Sequence, residues 1–101
     1  MAINAEKKQM ISELIQPIAI KYGVDRVTLF GSMARGDDDQ DSDYDFLISR
    51  GKMRSLLQYM SFVNELEELF NTHVDVVSES SPDEYIVEAA RKDGTVVYER
   101  V

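Results

Sequence analysis

The sequence predicts an α+β domain in which a mixed sheet of about four strands is packed by helices. Three observations predict this class. Some segments carry apolar residues at helical spacing, others are short continuous apolar runs, and the two kinds alternate along the chain with glycines between them. The length of 101 residues suffices for one hydrophobic core, so we expect a single domain over residues 1–101.

The predicted elements follow in a definite order. They are a helix over 4–22 that ends at Gly23, a strand over 27–30, a helical turn that Gly31 opens, a strand over 44–49, a long helix from Met53 to Phe70, a strand over 74–77, a helix that ends at Gly94, and a strand over 95–98. Pro17 is expected to kink the first helix or restart it. Ser81 is the predicted N-cap of the last helix, with Pro82 in its first turn. The apolar stripe of the long helix predicts core packing, with a partner interface as the alternative.

Composition excludes several functional classes. The chain has no cysteine, which excludes disulfide scaffolds, thiolate zinc sites and cysteine nucleophiles. No apolar run is longer than three residues, so a membrane span is not expected. The N-terminal residues lack the apolar stretch of a secretory signal. We therefore expect a soluble cytoplasmic protein.

The negative charge is concentrated in one predicted loop. The formal net charge is −8, and residues 37–45 (DDDQDSDYD) hold six aspartates and no basic residue. The other 92 residues together carry only −2. This distribution lacks the basic surface that binds nucleic acid, so no direct nucleic-acid partner is expected. A short cluster of carboxylates attracts metal cations instead.

Three aspartates are candidate metal ligands. Asp43 and Asp45 are two residues apart, so on a strand both side chains point to one face of the sheet. Asp75 lies between two valines in a separate predicted strand, where a buried carboxylate without a partner would be costly. Convergence of the three on divalent ions is the arrangement that two-metal phosphoryl chemistry needs. The alternative for each aspartate is an exposed acid near a strand end.

A candidate phosphate site follows the first predicted strand. Gly31 lets a phosphate approach the backbone, and Ser32 offers a hydroxyl donor at the start of the helical turn. Arg35 would add a positive charge for a polyphosphate. The alternatives are that Ser32 serves only as a helix cap and that Arg35 pairs with an aspartate of the loop.

Other motifs fit less well. The GxxxxG frame of Gly31 to Gly36 continues with two aspartates, where a P-loop requires lysine and then serine or threonine. The aspartate run matches no register of an EF-hand, because neither the glycine nor the final glutamate falls in place. Ser32 lacks the GxSxG elbow of a hydrolase nucleophile. His73, a lone histidine at a strand start, is predicted to be structural or exposed to solvent.

Residues 29–48 (LFGSMARGDDDQDSDYDFLI) resemble the signature of the DNA-polymerase-beta-like nucleotidyltransferases. That signature is Gly-Ser, ten residues and then Asp-x-Asp, and here ten residues separate Ser32 from Asp43. Asp75 matches the third carboxylate of the family in position and strand context. The resemblance covers nearly the whole chain and is closest to the minimal prokaryotic members.

The resemblance implies a fold and a reaction. The fold is the two-layer, polymerase-beta-like palm. The reaction moves AMP from ATP to a hydroxyl with two Mg²⁺ ions, which Asp43, Asp45 and Asp75 would hold. Gly31, Ser32 and Arg35 would bind the nucleotide, and Asp75 would also help deprotonate the acceptor.

The resemblance also implies a partner. Minimal members act as antitoxins that modify a tyrosine of a HEPN-domain ribonuclease toxin, in homo- or hetero-oligomers. Two alternatives remain open. One is an aminoglycoside-type nucleotidyltransferase that modifies a small molecule, and the other is a non-catalytic antitoxin that acts by binding alone.

Overall fold

Helices and strands alternate along the chain, as the sequence predicts. The structure is a computed structural model that describes residues 3–37 and 42–100. Its elements are α1 (Ala5–Tyr22), β1 (Arg26–Phe30), α2 (Gly31–Arg35), β2 (Tyr44–Ser49), α3 (Leu56–Phe70), β3 (Val74–Ser78), α4 (Glu84–Asp93) and β4 (Thr95–Glu99). The predicted helical turn after the first strand is α2. Asp38, Asp39 and Asp41 of the acidic run lie outside the described residues.

The strands of the described part of the chain form one mixed sheet in the order β3-β2-β1-β4. Strand β1 pairs antiparallel with both β2 and β4, and β2 pairs parallel with β3. A parallel pair needs a crossover connection, which α3 provides. The predicted fold class, a mixed sheet of about four strands packed by helices, is confirmed.

The main hydrophobic core lies between one face of the sheet and the helices α1 and α3. Alternate strand residues point into this layer, because successive side chains of a strand face opposite sides. The large, fully buried side chains of the layer include Ile11, Ile15, Leu29, Phe46, Ile48, Phe62 and Leu66. Burial of a side chain of this size contributes roughly 2 kcal/mol, so this layer supplies most of the hydrophobic stabilisation.

Helix α4 covers part of the opposite face of the sheet. The smaller cluster on this face comprises Leu47, Val87 and Ala90, with Phe30 and Val77 packed against them. Asp45 and Asp75 each lie two residues before a strand member of this cluster and therefore share its face. Helix α4 thus stands on the same side of the sheet as the candidate carboxylates.

Helix α1 begins and ends at residues suited to those positions. The Asn4 side chain accepts a hydrogen bond of 2.8 Å from the Lys7 backbone N–H, and Gly23 ends the helix in the left-handed region with φ 71°. Pro17 lies inside the helix, which continues past it without restarting. Proline removes one helical hydrogen bond, and burial of Ile15 and Ala19 in the core offsets that loss.

Helix α3 begins later than predicted and buries only part of its apolar surface. Ser55 forms a capping box with Gln58, which fixes the first residue at Leu56. The exposed fractions at its first turns are 75% for Leu56, 77% for Leu57 and 50% for Met60. The predicted core packing is therefore wrong for these turns. Met53 precedes the helix and is buried, so it fills the core at this end of the sheet.

Helix α4 also begins later than predicted. The Asp83 carboxylate accepts a hydrogen bond of 3.2 Å from the Ile86 backbone N–H, so Asp83 is the N-cap. Ser81 was the predicted cap, and that prediction is wrong, because the Ser81 hydroxyl accepts a hydrogen bond from the Asp83 N–H before the helix starts. Among the residues that the structure describes, no helix has both the length and the apolar character to cross a bilayer.

Side chains of α3 reach over the free edge of β3. The Tyr59 hydroxyl donates a hydrogen bond of 2.6 Å to the Val76 carbonyl oxygen, and the Val74 N–H donates one of 3.3 Å to Glu67. An edge strand with unpaired backbone groups is a template for association with another strand. These two contacts occupy part of that edge and hold β3 against the core.

Replacement of Gly51 by alanine should destabilise the fold. Gly51 has φ +59°, and a Cβ atom there would lie 2.2 Å from the Gly23 carbonyl oxygen. Strain in the left-handed region and this backbone clash together should lower the free energy of unfolding by more than about 1 kcal/mol. Urea denaturation of Gly51→Ala measures the loss, with the exposed neighbour Lys52→Ala as control. Equal midpoints for the two variants would contradict the expectation.

Candidate active site

Two neighbouring strands carry the predicted carboxylates to one end of the sheet. Asp43 lies directly before β2, and Asp45 and Asp75 are the second residues of β2 and β3. In the register of the sheet, Asp45 is aligned with Asp75 on one side and with Phe30 on the other. The structure therefore brings the three predicted ligands together, although they come from separate parts of the chain.

His73 is part of the same group. One ligand atom from each of Asp43, His73 and Asp75 lies within 4.8 Å of the other two, a spacing that suits a shared metal ion. The imidazole Nε2 is 2.8 Å from Asp75 Oδ1, and Nδ1 is 3.2 Å from Glu67 Oε2. The sequence predicted His73 to be structural or exposed to solvent. It is exposed, but its contacts belong to the site.

The sequence contains one signal that points to His73. It is two residues before Asp75, and residues two apart in an extended chain share a face. Its distance from Asp43 depends on the parallel pairing of β2 with β3, which no local pattern predicts. Sequence reasoning therefore missed this residue.

Ionisation of the carboxylates at this site is unfavourable for Asp45, which is partly buried beside Asp75. The pKa of Asp45 is raised to about 6, first by burial, then by the negative charge of Asp75 and a hydrogen bond with it. The pKa of His73 is raised above its ordinary value, first by its hydrogen bond to Asp75 and then by the charge of that carboxylate. When protonated, His73 neutralises part of the negative charge of Asp75.

The donor set fits divalent cations. Carboxylate oxygens are the ligands that Mg²⁺ and similar hard ions prefer. Asp43 and Asp75 offer such oxygens within 4.8 Å of each other, and Asp45 is hydrogen-bonded to Asp75. Burial and then the charge of Asp75 raise the Asp45 pKa, and a bound cation would offset the second of these effects. His73 contacts Asp75, and a protonated imidazole would have to lose its proton to serve as a ligand itself.

Gly31, the first residue of α2, lies against Asp45. Gly31 has φ +75°, and a Cβ atom at this position would lie 2.5 Å from Asp45 Oδ2. Only glycine lets the backbone pass so close to the carboxylate. Ser32 follows in α2, half-buried, and its carbonyl oxygen accepts hydrogen bonds from the N–H groups of Gly36 and Asp37. Gly31 of the predicted phosphate site therefore lies directly beside Asp45, a predicted metal ligand, and Ser32 is the next residue along the chain.

Arg35 lies at the other end of α2. Its guanidinium is 3.2 Å from Asp37 and 3.5 Å from Asp93, the last residue of α4. This is the kind of pairing with a loop aspartate that the sequence left open as the alternative. The structure shows how Arg35 ties α2 to α4, and its role toward a phosphate stays a prediction.

Comparison with known proteins supports the resemblance. The family model described as "Polymerase beta, Nucleotidyltransferase" matches residues 13–101. A Methanocaldococcus jannaschii protein named "Putative protein adenylyltransferase" is 40% identical over 81 residues, which cover 80% of this chain and 82% of that protein. The family match includes the Gly-Ser pair and the Asp-x-Asp motif, and the match to the relative covers most of the chain.

The fold is similar to chains of solved toxin–antitoxin structures. One is described as a toxin–antitoxin with AMP-PNP, and its TM-score is 0.76 at 16% identity over 88% of this chain and 73% of that one. Another is the complex of tri-AMPylated Shewanella oneidensis HEPN toxin with MNT antitoxin, with a TM-score of 0.70 at 15% identity over 92% and 73%. At these identities the likeness establishes the fold alone. The predicted polymerase-beta-like fold is confirmed.

Asp45→Asn should stabilise the protein in the absence of metal. The pKa of Asp45 is about 6 in the folded protein and about 3.8 in the unfolded chain, so ionisation of this carboxyl opposes folding. The gain in unfolding free energy should grow from pH 4 to pH 6 and stay constant above, at roughly 1–3 kcal/mol. Thermal melts with EDTA across this pH range measure it.

The same melts contain two internal controls. Below about pH 3 the carboxyl is mostly protonated in both states, so Asp45→Asn and the unmodified chain should melt alike. Added Mg²⁺ should raise the melting temperature of the unmodified chain more than that of the variant, since the variant lacks a ligand. A gain that does not depend on pH would contradict the electrostatic explanation.

Proposed function

The chain belongs to the polymerase beta nucleotidyltransferase family, and from this we propose that it moves AMP from ATP to a tyrosine hydroxyl of a HEPN-domain ribonuclease toxin. By this transfer it would act as the antitoxin of that toxin. A relative named as a protein adenylyltransferase supports the reaction. Fold similarity to a chain of the complex that contains tri-AMPylated HEPN toxin supports the partner.

One observation carries the proposal: the glycine of the Gly-Ser pair and the metal-type carboxylates meet at one point. The Asp45 carboxylate lies against Gly31, and Asp75 is its neighbour across the parallel pair. A polyphosphate held at Gly31 and Ser32 would therefore place its α-phosphate beside the carboxylates. A solvated acidic loop without catalytic function would not require a glycine in the left-handed region against an aspartate.

The proposed reaction is an in-line displacement at phosphorus. The phenolic oxygen of the acceptor attacks the α-phosphorus of ATP, the bond to the bridging oxygen of pyrophosphate breaks, and its electron pair leaves with pyrophosphate. The phenolic proton passes to Asp75, which His73 orients through their 2.8 Å contact. Two Mg²⁺ ions, when bound, would neutralise charge on the attacking and leaving oxygens.

Each residue of the site has a proposed role that follows from its position. Asp43 and Asp45 would hold the cations, and Asp75 would complete the ligand set on the acceptor side. Gly31 and Ser32 would hold the β- and γ-phosphates. Because the acceptor and the nucleotide are fixed before they react, positioning contributes much of the rate.

Two alternative functions differ in what lies beside Asp75. An aminoglycoside-type enzyme needs acidic groups that bind a polycationic substrate. The surface beside Asp75 consists instead of Phe30, Val77, Tyr85 and Ile86, which suits a protein side chain. A non-catalytic antitoxin would have no use for the three carboxylates, all of which are retained. Since ATP is a cytoplasmic metabolite, we place the reaction in the cytoplasm.

Label transfer distinguishes the proposed reaction from kinase chemistry and from passive binding. The chain, Mg²⁺, ATP and a purified HEPN partner should give α-phosphate label on a partner tyrosine and no γ label, because pyrophosphate leaves. The partner should gain the mass of one or more AMP groups and lose ribonuclease activity. Asp43→Asn and Asp45→Asn should lower transfer at least 10³-fold, about 4 kcal/mol of barrier. Lys92→Ala, an exposed change on α4, serves as the control.

The results of the label-transfer experiment distinguish the proposed function from the two alternatives. Inhibition of the partner by Asp43→Asn without any label would favour the non-catalytic antitoxin. Transfer to an aminoglycoside and not to the HEPN partner would favour the small-molecule enzyme. Wild-type transfer rates in both aspartate variants would show that the metal site is assigned wrongly.

The phosphate site is tested by two substitutions of different severity. Gly31→Val should abolish transfer, because any side chain there meets Asp45 Oδ2 and strains the backbone at φ +75°. Ser32→Ala removes one hydroxyl and leaves the backbone amides, so about a tenfold loss is expected. Steady-state kinetics with labelled ATP measure both, and circular dichroism confirms that each variant folds. Unchanged kinetics in both would place the triphosphate elsewhere.

A further inference from the structure

A pocket of about 390 Å³ lies beside the carboxylates on the α4 side of the sheet. Its lining includes Asp45, Asp75, Phe30 and Val77 of the sheet and Tyr85 and Ile86 of α4. We propose that this pocket binds the aromatic ring of the acceptor and that Tyr85 and Ile86 select a phenolic side chain. The inference rests on the proposed function, which it extends by assigning the acceptor its place.

The order of the strands decides which reactant this pocket receives. Gly31 follows β1, Asp45 is on β2 in the middle, and Asp75 is on the edge strand β3. In-line displacement requires the attacking oxygen and the leaving pyrophosphate to lie on opposite sides of the phosphorus. With pyrophosphate at Gly31, the attacking oxygen comes from the β3 side. The pocket extends from Phe30 of β1 across Asp45 to Asp75 and the two residues after it on β3, so one end of it lies on that side.

The chemistry of the lining matches a phenol. One end holds two carboxylates, where a hydroxyl has to be placed and deprotonated. The remainder presents aliphatic and aromatic side chains, which suit the faces of a ring. An aliphatic hydroxyl such as serine would leave this apolar part of the pocket unfilled. Among the described residues that line the pocket, Asp45 and Asp75 are the acidic ones, which offers little to a polycationic sugar.

Two apolar residues of α4 are exposed at this pocket. Tyr85 is 86% exposed and Ile86 is 42% exposed. Tyrosine is enriched at the binding surfaces of proteins because it combines a large apolar face with few rotatable bonds. Tyr85 lines the same pocket as Asp45 and Asp75, which places it to contact an aromatic acceptor.

Ala89 offers a way to fill the pocket without disturbing the fold. It is exposed, lines the pocket, and lies four residues after Tyr85 on the same face of α4. Leucine is nearly as good a helix former as alanine, so Ala89→Leu should fold normally while occupying part of the pocket. Lys92→Ala is the matched control, since Lys92 is on the same helix and does not line the pocket.

The first test measures transfer and nucleotide binding separately. With a purified HEPN partner and α-labelled ATP, Ala89→Leu and Tyr85→Ala should each lower kcat/KM for the partner at least tenfold. The Kd of each variant for AMP-PNP with Mg²⁺, measured without the partner, should stay within twofold of the unmodified chain. An equal loss of AMP-PNP affinity would assign the pocket to adenine and overturn the inference.

The second test does not require the partner. N-acetyl-tyrosinamide, added to the chain with Mg²⁺ and AMP-PNP, should shift the NMR signals of Tyr85, Ile86 and Val77. N-acetyl-serinamide should not, and Ala89→Leu should abolish the shifts. Tyrosinamide binding without label transfer to the HEPN partner would support the pocket and contradict the proposed function. Label transfer that Ala89→Leu and Tyr85→Ala leave unchanged would support the function and overturn the pocket.

Discussion

Strand β2 is paired along both edges, antiparallel with β1 and parallel with β3, and this double pairing sets the position of every group in the site. It aligns Asp45 with Phe30 and Asp75 and turns all three toward α4. Strand side chains alternate with a period of two, so a slip of one residue would turn Asp45 into the main core. Burial of Phe46 and Ile48 on the other face prevents such a slip. The apolar core thus determines where the carboxylates point.

The same register places the carboxylates of Asp45 and Asp75 side by side, which is electrostatically unfavourable. Asp45 is partly buried beside a second carboxylate, and its pKa is raised to about 6 for that reason. His73 contacts Asp75 and offsets part of the charge when it is protonated, and Glu67 contacts the other nitrogen of the same ring. Folding therefore assembles a group that is unfavourable without cations and that cations would stabilise. A site selected for stability alone would not hold its carboxylates in this way.

Helix α4 links the two sides of the proposed reaction. At its C-terminal end Asp93 pairs with Arg35 of α2, the helix that opens with Gly31 and Ser32. In its first turn Tyr85 and Ile86 line the pocket beside Asp75. Val87 and Ala90, between these ends, pack on Leu47 of the central strand. One short helix therefore fixes the acceptor pocket relative to the phosphate site.

Local sequence determined the order of the elements, the turn at Gly31, and the spacing from Ser32 to Asp43, because periodicity, capping and motif spacing act over a few residues. It also identified Asp45 and Asp75 as candidate ligands. Only the tertiary structure decided that Asp43 comes close to His73 and Asp75, that Arg35 pairs with Asp93, and that Tyr85 lines the same pocket as Asp45 and Asp75. These contacts depend on strand order and helix placement between segments far apart in the chain. Burial of the hydrophobic core stabilises this strand order and helix placement, and no local sequence pattern predicts it.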